Sequence, residues 1–428
     1  DGDDDTDSKT ADIGNQVKFE DAGPAVTVTD NTTMLVHDET EGLDDTDVDG
    51  TVSAFDTTTI AGLFTNVAGG DDTDVSGTGP IGYARSTNSL VTVDADFGAD
   101  GMADSDDTVY GIETTNQTDS GVETTEGTQI FLYNGTGALA GLVLGRVGTE
   151  VGDGNDTADD NGDIAFALAV NPDTGELFVQ QWLSVNSPTA GDGTGGSHDE
   201  PIALTDGALK MRVTIKDGDG DTDSKTADIG SQVKFQDDGP SVVVNDNATM
   251  VVHDETEGVQ GDTDVLGTAP AFGTTSVADL FTNVVGGDDP DVSGTGPIGY
   301  ARSTSSVVTV TPTFGADGMA ASDDTVYAIE TTDQTDSGVE TTEGTQIFLY
   351  NGTGSLAGLV LGRVGNEVGD GTDTPNDTGT IAFALAVDPD SGELFLQQWL
   401  SVNSPTAGDG SGGSHDEPIA LTDGALQM

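Results

Sequence analysis

The sequence predicts an all-β chain built of tandem β-sandwiches. Three observations carry that expectation. Apolar residues recur at every second position in short runs, as in AVTVTD (25–30) and SVVVND (241–246). Turn-forming residues interrupt these runs about every ten to fifteen residues, the spacing of sandwich strands. The acidic content is carried by Asp, with 61 Asp against 17 Glu. Asp is a poor helix former and a good turn and ligand residue, so the acid sits in loops rather than on helices.

The strands follow in order. LVTVDADF, TQIFLYNG, GLVLGRV, DIAFALAV, ELFVQQWLSV and LKMRVTIK each read as strand, separated by NGTG, NPDTGE and DGDG. NPDTGE at 171–176 followed by LFVQQW is a hairpin sequence that places Gly175 at positive φ. One short helix is expected in TSVADLFTN (275–283), where Ser276 and Asp279 form a capping box. Trp182 and Trp399, each in QQW, have apolar neighbours on alternate positions and read as core anchors rather than sugar platforms.

The chain is a tandem repeat. HDETEG at 37–42 returns at 253–258, GPIGYARST at 79–87 returns at 296–304, and GGSHDEPIALTDGAL at 195–209 returns at 412–426. The offset is 216 before a single-residue insertion between Leu43 and Phe55 and 217 after it. Gly-Pro preceded by acids is a linker signal, so boundaries fall at Gly23-Pro24 and Gly239-Pro240. Residues 1–22 are then expected to be the C-terminal end of a preceding repeat, 23–238 a complete repeat of one sandwich or two, and 239–428 a second repeat lacking its final hairpin. The core that this hairpin completes is either open or closed from elsewhere, with residues 5–20 the candidates for a swap.

Net charge is −67, with 11 basic residues. Binding to nucleic acid or to an anionic membrane surface is excluded by that balance. Such a chain repels itself unless cations or salt neutralise it. High charge with only 5% aromatic residues also suits disorder, but the strand-period runs argue against it. There is no cysteine, hence no disulfide framework, so the fold must be held by its cores or by metals. The longest apolar runs, ALAGLVLG (138–145) and IAFALAV (164–170), fall far short of the ~18 residues of a membrane span.

The Asp-rich loops carry the main chemical signal. Calcium takes six to eight oxygens at ~2.3–2.6 Å. Carboxylates at alternate positions of a Gly-bearing turn can point inward together. DGDGDTD offers Asp217, Asp219, Asp221 and Asp223, and the chain's start repeats the pattern at Asp1, Asp3, Asp5 and Asp7. No Glu closes the loop at position 12 and no helices flank it, so it is not an EF-hand. Further candidates are Asp71, Asp72 and Asp74 in GGDDTDVSG, DDTDVDG (44–50), GADGMADSDD (98–107), and Asp153 and Asp156 in VGDGNDTADDNGD. The copy of that last loop, VGDGTDTPNDTGT, loses several acids.

The linker is a second signal. Asp237 and Asp238 could share an ion with Asp246 or with Asp254 and Glu255, locking two repeats at a fixed angle. In the earlier copy Asp21 is kept, Ala22 replaces Asp238, and Glu20 stands where Gln236 does. The four histidines all lie in His-Asp-Glu: His37 with Asp38 and Glu39, His198 with Asp199 and Glu200, His253 with Asp254 and Glu255, and His415 with Asp416 and Glu417. A zinc ligand or a base is one reading. A structural histidine bonded to a backbone carbonyl is the plainer one. No G-x-S-x-G occurs, and GDGTGGS (191–197) lacks the strand–helix context of a phosphate loop. No constellation of acid, base and nucleophile is legible, so an enzyme is not expected.

The succession GADGMADSDDTVY, GLVLGRVG, IAFALAVNPDTGELFVQQWLSV and HDEPIALTDGALKMRVTIKDGDGDTDS resembles the tandem extender repeats of giant RTX adhesins of Gram-negative bacteria. The likeness covers 95–223 and 312–428 well and 23–94 loosely. It implies Ig-like or cadherin-like β-sandwich modules in series, type I secretion to the extracellular bacterial surface, and calcium at loops and linkers. Its implied partners are neighbouring repeats of the same long chain and other copies in a filament or biofilm, with no nucleic acid and no membrane insertion. The glycine-rich nonapeptides of the RTX C-terminal region are absent, and the unit is longer than the common repeat of roughly a hundred residues.

Four functions compete. The first is a calcium-stabilised spacer projecting a binding tip from the cell surface. The alternative is a calcium-dependent carbohydrate- or surface-binding module. A halophilic surface would follow monovalent salt instead of calcium, and an enzyme comes last.

Overall fold

The computed structural model describes residues 2–40, 43, 46–72, 79–151, 156–187, 201–236, 239–256, 258–260, 263–290, 292, 295–316, 318–320, 322, 324–368, 373–404 and 418–428. The fold is an all-β sandwich architecture. The chain divides into two compact units, residues 1–241 with 313–319, and 242–312 with 320–428. The expected boundary at Gly239-Pro240 falls beside that division.

The first unit carries β1 (Ala25–Asp30), β2 (Leu35–Asp38), β3 (Ser53–Phe55), β4 (Thr58–Thr59), α1 (Ile60–Leu63), β5 (Gly82–Ser89), β6 (Val91–Asp96), β7 (Thr108–Glu113), β8 (Thr118–Glu123), β9 (Gln129–Asn134), β10 (Val143–Val147), β11 (Ile164–Val170), β12 (Glu176–Gln181), β13 (Ile202–Ala203), β14 (Lys210–Lys216), β15 (Thr222–Asp228) and β16 (Val233–Gln236). Its main sheet is antiparallel, in the order β5-β12-β11-β10-β9-β8. Four smaller sheets accompany it, β3-β4, β1-β6, β13-β16-β2 and β15-β14-β7. In β13-β16-β2, β16 is the central strand, antiparallel to β13 and parallel to β2.

The inner strands β9 to β12 of the main sheet are buried on both faces, which explains why IAFALAV is apolar throughout instead of alternating. Val143, Leu168, Leu177 and Val179 face a core shared with Leu35, Met211, Val213, Val233 and Phe235 of the smaller sheets. Their strand neighbours Leu144, Ala167, Phe178 and Trp182 face a second core with Ala54, Ile60 and Phe64 from the β3–α1 stretch. The main sheet of the first repeat thus has one apolar core on each face. Each fully buried Leu or Phe contributes about 1.5–3 kcal/mol, and Phe166 and Phe235 also meet as rings 4.8 Å apart. Trp182 and Trp399 are both buried, as core anchors should be. Gly69 makes room for the first: a Cβ there would stand 2.0 Å from the Trp182 ring, and Gly286 relates to Trp399 in the same way.

The second unit carries β17 (Ser241–Asp246), β18 (Asp264–Val265), α2 (Val277–Leu280), β19 (Gly299–Ser306), β20 (Val308–Thr313), β21 (Thr335–Glu340), β22 (Gln346–Asn351), β23 (Val360–Val364), β24 (Ile381–Val387) and β25 (Glu393–Gln398). The sheet order is β18-β19-β25-β24-β23-β22-β21, with β17-β20 apart. The expected helix is α2, and the Ser276–Asp279 capping box is formed in both directions. Gly175 has φ +74° in a hairpin closed by Gly175 N–H donating to Asn171 O. Among the described residues no helix is long and apolar enough to cross a membrane.

Candidate cation cluster

The hairpin β14–β15 turns at Asp217–Asp221. The Asp217 carboxylate is fully buried and shapes that turn: its Oδ1 accepts from Gly220 N at 3.1 Å and Asp221 N at 2.8 Å. Its Oδ2 is buried and, among the described residues, accepts from no donor; its near neighbour is the carboxyl of Asp219. An ionised buried carboxylate oxygen with no donor is costly unless a cation reaches it.

Two further segments converge on the turn. The loop 98–103 docks alongside, with Gly218 N donating to Gly101 O at 2.9 Å and Ala103 N to Lys216 O at 3.2 Å. Gly101 adopts φ +71°, and a Cβ on Gly218 would stand 2.5 Å from Asp100 O, so the close approach needs glycine. The stretch before β1 approaches at Gly98, where a Cβ would meet Ala22 O at 2.1 Å.

These approaches bring five carboxylates together. One oxygen from each of Asp21, Asp100 and Asp219 lies within 4.8 Å of the others, and the same holds for Asp217, Asp219 and Asp221. Asp219 belongs to both groups. Two ligands of one calcium ion stand at most about 4.8 Å apart, twice the usual Ca–O distance. The donor set is oxygen only, which suits a hard cation and not zinc. Like charges raise proton affinity here. The Asp100 carboxyl is pushed up first by the Asp21 carboxyl beside it and then by Asp217 and Asp221. Asp219 is pushed up first by its approach to Asp217.

Asp223 does not join the cluster. Its Oδ2 accepts from Val26 N at 3.0 Å and its Oδ1 from Lys225 Nζ at 2.9 Å, which pull its pKa down. Strand β15 has begun by then, and its carboxylate ties β15 to β1. Asp100, which joins, sits in an acidic loop whose individual residues sequence reading did not single out. Its flanking Gly98 and Gly101, both at positive φ, were the available signal.

Among the described residues the remaining candidates form no further group of three. Asp3, Asp5 and Asp7 are exposed, and Asp7 pairs with Lys9 at 3.5 Å. Asp246 is exposed at the end of β17. Asp156 Oδ2 accepts from Gln129 N at 2.7 Å and so secures β9. Asp38 caps its own turn through Thr40 N at 2.8 Å, and Asp254 does so through Thr256 N. Glu39 is buried and accepts from Val185 N at 2.9 Å and from Gln181, while Asp72 accepts from Ser184 N at 2.9 Å. The pair recurs as Glu255 on Val402 N and Asp289 on Ser401 N. Burial pushes Glu255 up, with Asp289 adding to it. Asp71 is exposed. Asp1, Asp74, Asp153, Asp199, Glu200, Asp237, Asp238, Asp416 and Glu417 lie outside the described residues, as do His198 and His415. The sharing of an ion between Asp237 or Asp238 and the next repeat therefore has no described counterpart.

His37 is fully buried, and burial pulls its pKa down to about 4 against the opposing Asp38 charge and Gly82 backbone. Neither ring nitrogen makes a well-formed hydrogen bond. Among the described residues no histidine shares a cluster of three potential metal ligands.

Fold and cluster together define an all-β repeat module with an oxygen-only acidic cluster where the incoming chain meets the closing hairpin. The chain belongs to the family described as a domain of unknown function (DUF5801), matched over residues 34–230 and 250–428, once per repeat. No curated protein and no solved structure matches it.

Proposed function

We propose that the protein is a calcium-stabilised structural spacer, an extender segment of a large extracellular bacterial adhesin or filament. The observation that carries this is the buried Asp217 Oδ2, which accepts from no described donor, at the meeting of Asp21, Asp100, Asp219 and Asp221. An ion there neutralises carboxylates from three places: the stretch before β1, the loop 98–103, and the hairpin that ends the same repeat. It fastens the entering chain to the repeat. The repetition of the module supports a spacer, which needs many equal units. The burial of Trp182 and Trp399 removes the aromatic platform that a carbohydrate-binding reading would use.

The test is thermal unfolding of the whole chain in chelator, in about 5 mM calcium, and in sodium at matched ionic strength. Ligand that binds only the folded state raises its stability by mass action. A rise with calcium beyond the sodium control supports the spacer reading. Equal rises with both ions would mean that screening suffices, and the calcium assignment falls.

A further inference from the structure

A second set of carboxylates meets where β12 ends, and it shares no residue with the Asp217 cluster. Glu39, just past β2, is 4% exposed. Its Oε1 accepts from Val185 N at 2.9 Å and from Gln181 Nε2. Asp72 Oδ2 accepts from Ser184 N at 2.9 Å and from Ser184 Oγ. Two carboxylates thus hang on the consecutive amides of Ser184 and Val185. The same bonds recur in the second repeat, where Glu255 takes Val402 N and Gln398 Nε2, and Asp289 takes Ser401 N and Oγ. The charges that act on the Glu255 carboxyl are those of Asp289 and Asp254, both negative, and they add to burial in pushing it up. Like charges brought together out of water weaken a fold unless a cation joins them.

An independent sign of a ligand comes from Gln181, the last residue of β12. Its side chain is fully buried. Nε2 has two acceptors, Glu39 Oε1 and Leu183 O, which fixes the orientation of the amide. The oxygen on the same carbon, Oε1, is buried and accepts from no donor among the described residues. It stands beside the Glu39 carboxylate, because the amide nitrogen touches that carboxylate. A buried amide oxygen without a donor is costly until something electropositive reaches it.

We propose that Glu39, Asp72 and the Gln181 carbonyl oxygen hold a calcium ion in the first repeat, and that Glu255, Asp289 and Gln398 hold its counterpart in the second. The donors are all oxygen, which suits a hard cation. Two carboxylates match a divalent charge. A buried position suits calcium over magnesium, which keeps several of its waters and demands a strict octahedron. The ion clamps the end of β2 and the stretch 69–72 onto the exit of β12. That stretch already lies on the main sheet, with Gly70 N donating to Ile164 O at 2.9 Å and Gly69 against the Trp182 ring. The site stands or falls separately from the Asp217 cluster.

The test counts ions on the whole chain, by equilibrium dialysis against radioactive calcium and by native mass spectrometry. Glu39→Gln/Asp72→Asn keeps acceptors for Val185 N and Ser184 N, and is expected to bind one ion fewer than the unmodified chain. Glu255→Gln/Asp289→Asn also loses one, and the fourfold variant loses two. The losses are the same in an Asp217→Asn background. Terbium in place of calcium gives a local readout, because Trp182 follows Gln181 and its ring abuts Gly69, three residues before Asp72. Terbium emission excited through tryptophan falls in Glu39→Gln/Asp72→Asn and in Trp182→Phe, and Trp182→Phe keeps its ion count. Melting in chelator checks that the variants fold, at or above the unmodified temperature because the repulsion is gone. Where a double variant does not fold, Asp72→Asn alone carries the count. An unchanged ion count in folded variants overturns the proposal and leaves a water or a proton at Gln181 and Glu39. So does terbium emission that the double variants leave intact.

Discussion

The carboxyls of Asp21 and Asp100 face each other under the Asp217 turn, each with an oxygen within 4.8 Å of the same Asp219. Asp21 is the larger cause of the raised proton affinity of Asp100. A residue ahead of the first strand is thus electrostatically tied to the hairpin that ends the repeat.

Asp217→Asn separates the turn from the charge. The amide oxygen still accepts from Gly220 N and Asp221 N, so in chelator the first repeat should melt at or above the unmodified temperature. The calcium-dependent gain should shrink, with calcium affinity weakened about tenfold or more, roughly 1.4 kcal/mol. Calcium titration followed by melting checks both halves. An undiminished gain would remove Asp217 from the ligand set.

Protons and calcium compete for this cluster. Asp100 and Asp219 have folded-state pKa values raised above the ordinary 3.8. The folded state therefore holds more protons than the unfolded one between the two values, and these carboxyls weaken the fold as pH rises through that window. In chelator their repulsion is greatest at neutral pH, where calcium has most to offset. Apparent calcium affinity should fall as pH drops from 7 toward 4. Isothermal titration at a series of pH values measures it.

His37 acts in the opposite direction. Its folded pKa of about 4 lies below the ordinary 6.5. The unfolded chain takes up its proton first, so stability is present above about 6.5 and is lost as pH falls toward 4, by up to about 3 kcal/mol in all. His37→Phe should flatten that part of the pH profile in urea unfolding. A profile with the same slope would mean that other groups set it.

Gly69→Ala puts a Cβ 2.0 Å from the Trp182 ring position. Overpacking of this kind costs about 1–3 kcal/mol or more. Urea unfolding should show the loss in the first repeat, and Gly286→Ala the same loss in the second.

Gln232→Ala leaves three carbonyls without their shared donor. The first repeat should lose about 1–3 kcal/mol. Parallel urea melts of the variant and the unmodified chain measure the difference.

Much of the fold was legible because it follows from local rules. Alternation marked β1, β9 and β14, the Pro-Asp-Thr-Gly turn fixed Gly175, and Ser276 with Asp279 started α2. The extent of a sandwich was not legible. IAFALAV has the same composition whether it lines one core or separates two, and only the cover from β3 to α1 shows that it separates two.

The sequence by itself determined the repeat, the strands, the acidity of the loops and the burial of the tryptophans, since each depends on residue type and short spacing. Tertiary structure decided which acids meet. Asp223 continues the spacing of Asp217, Asp219 and Asp221 yet turns to Val26 and Lys225, whereas Asp21 and Asp100 come from remote segments. A cation cluster depends on distances between oxygens, and those are set where a loop and the entering chain cross the turn.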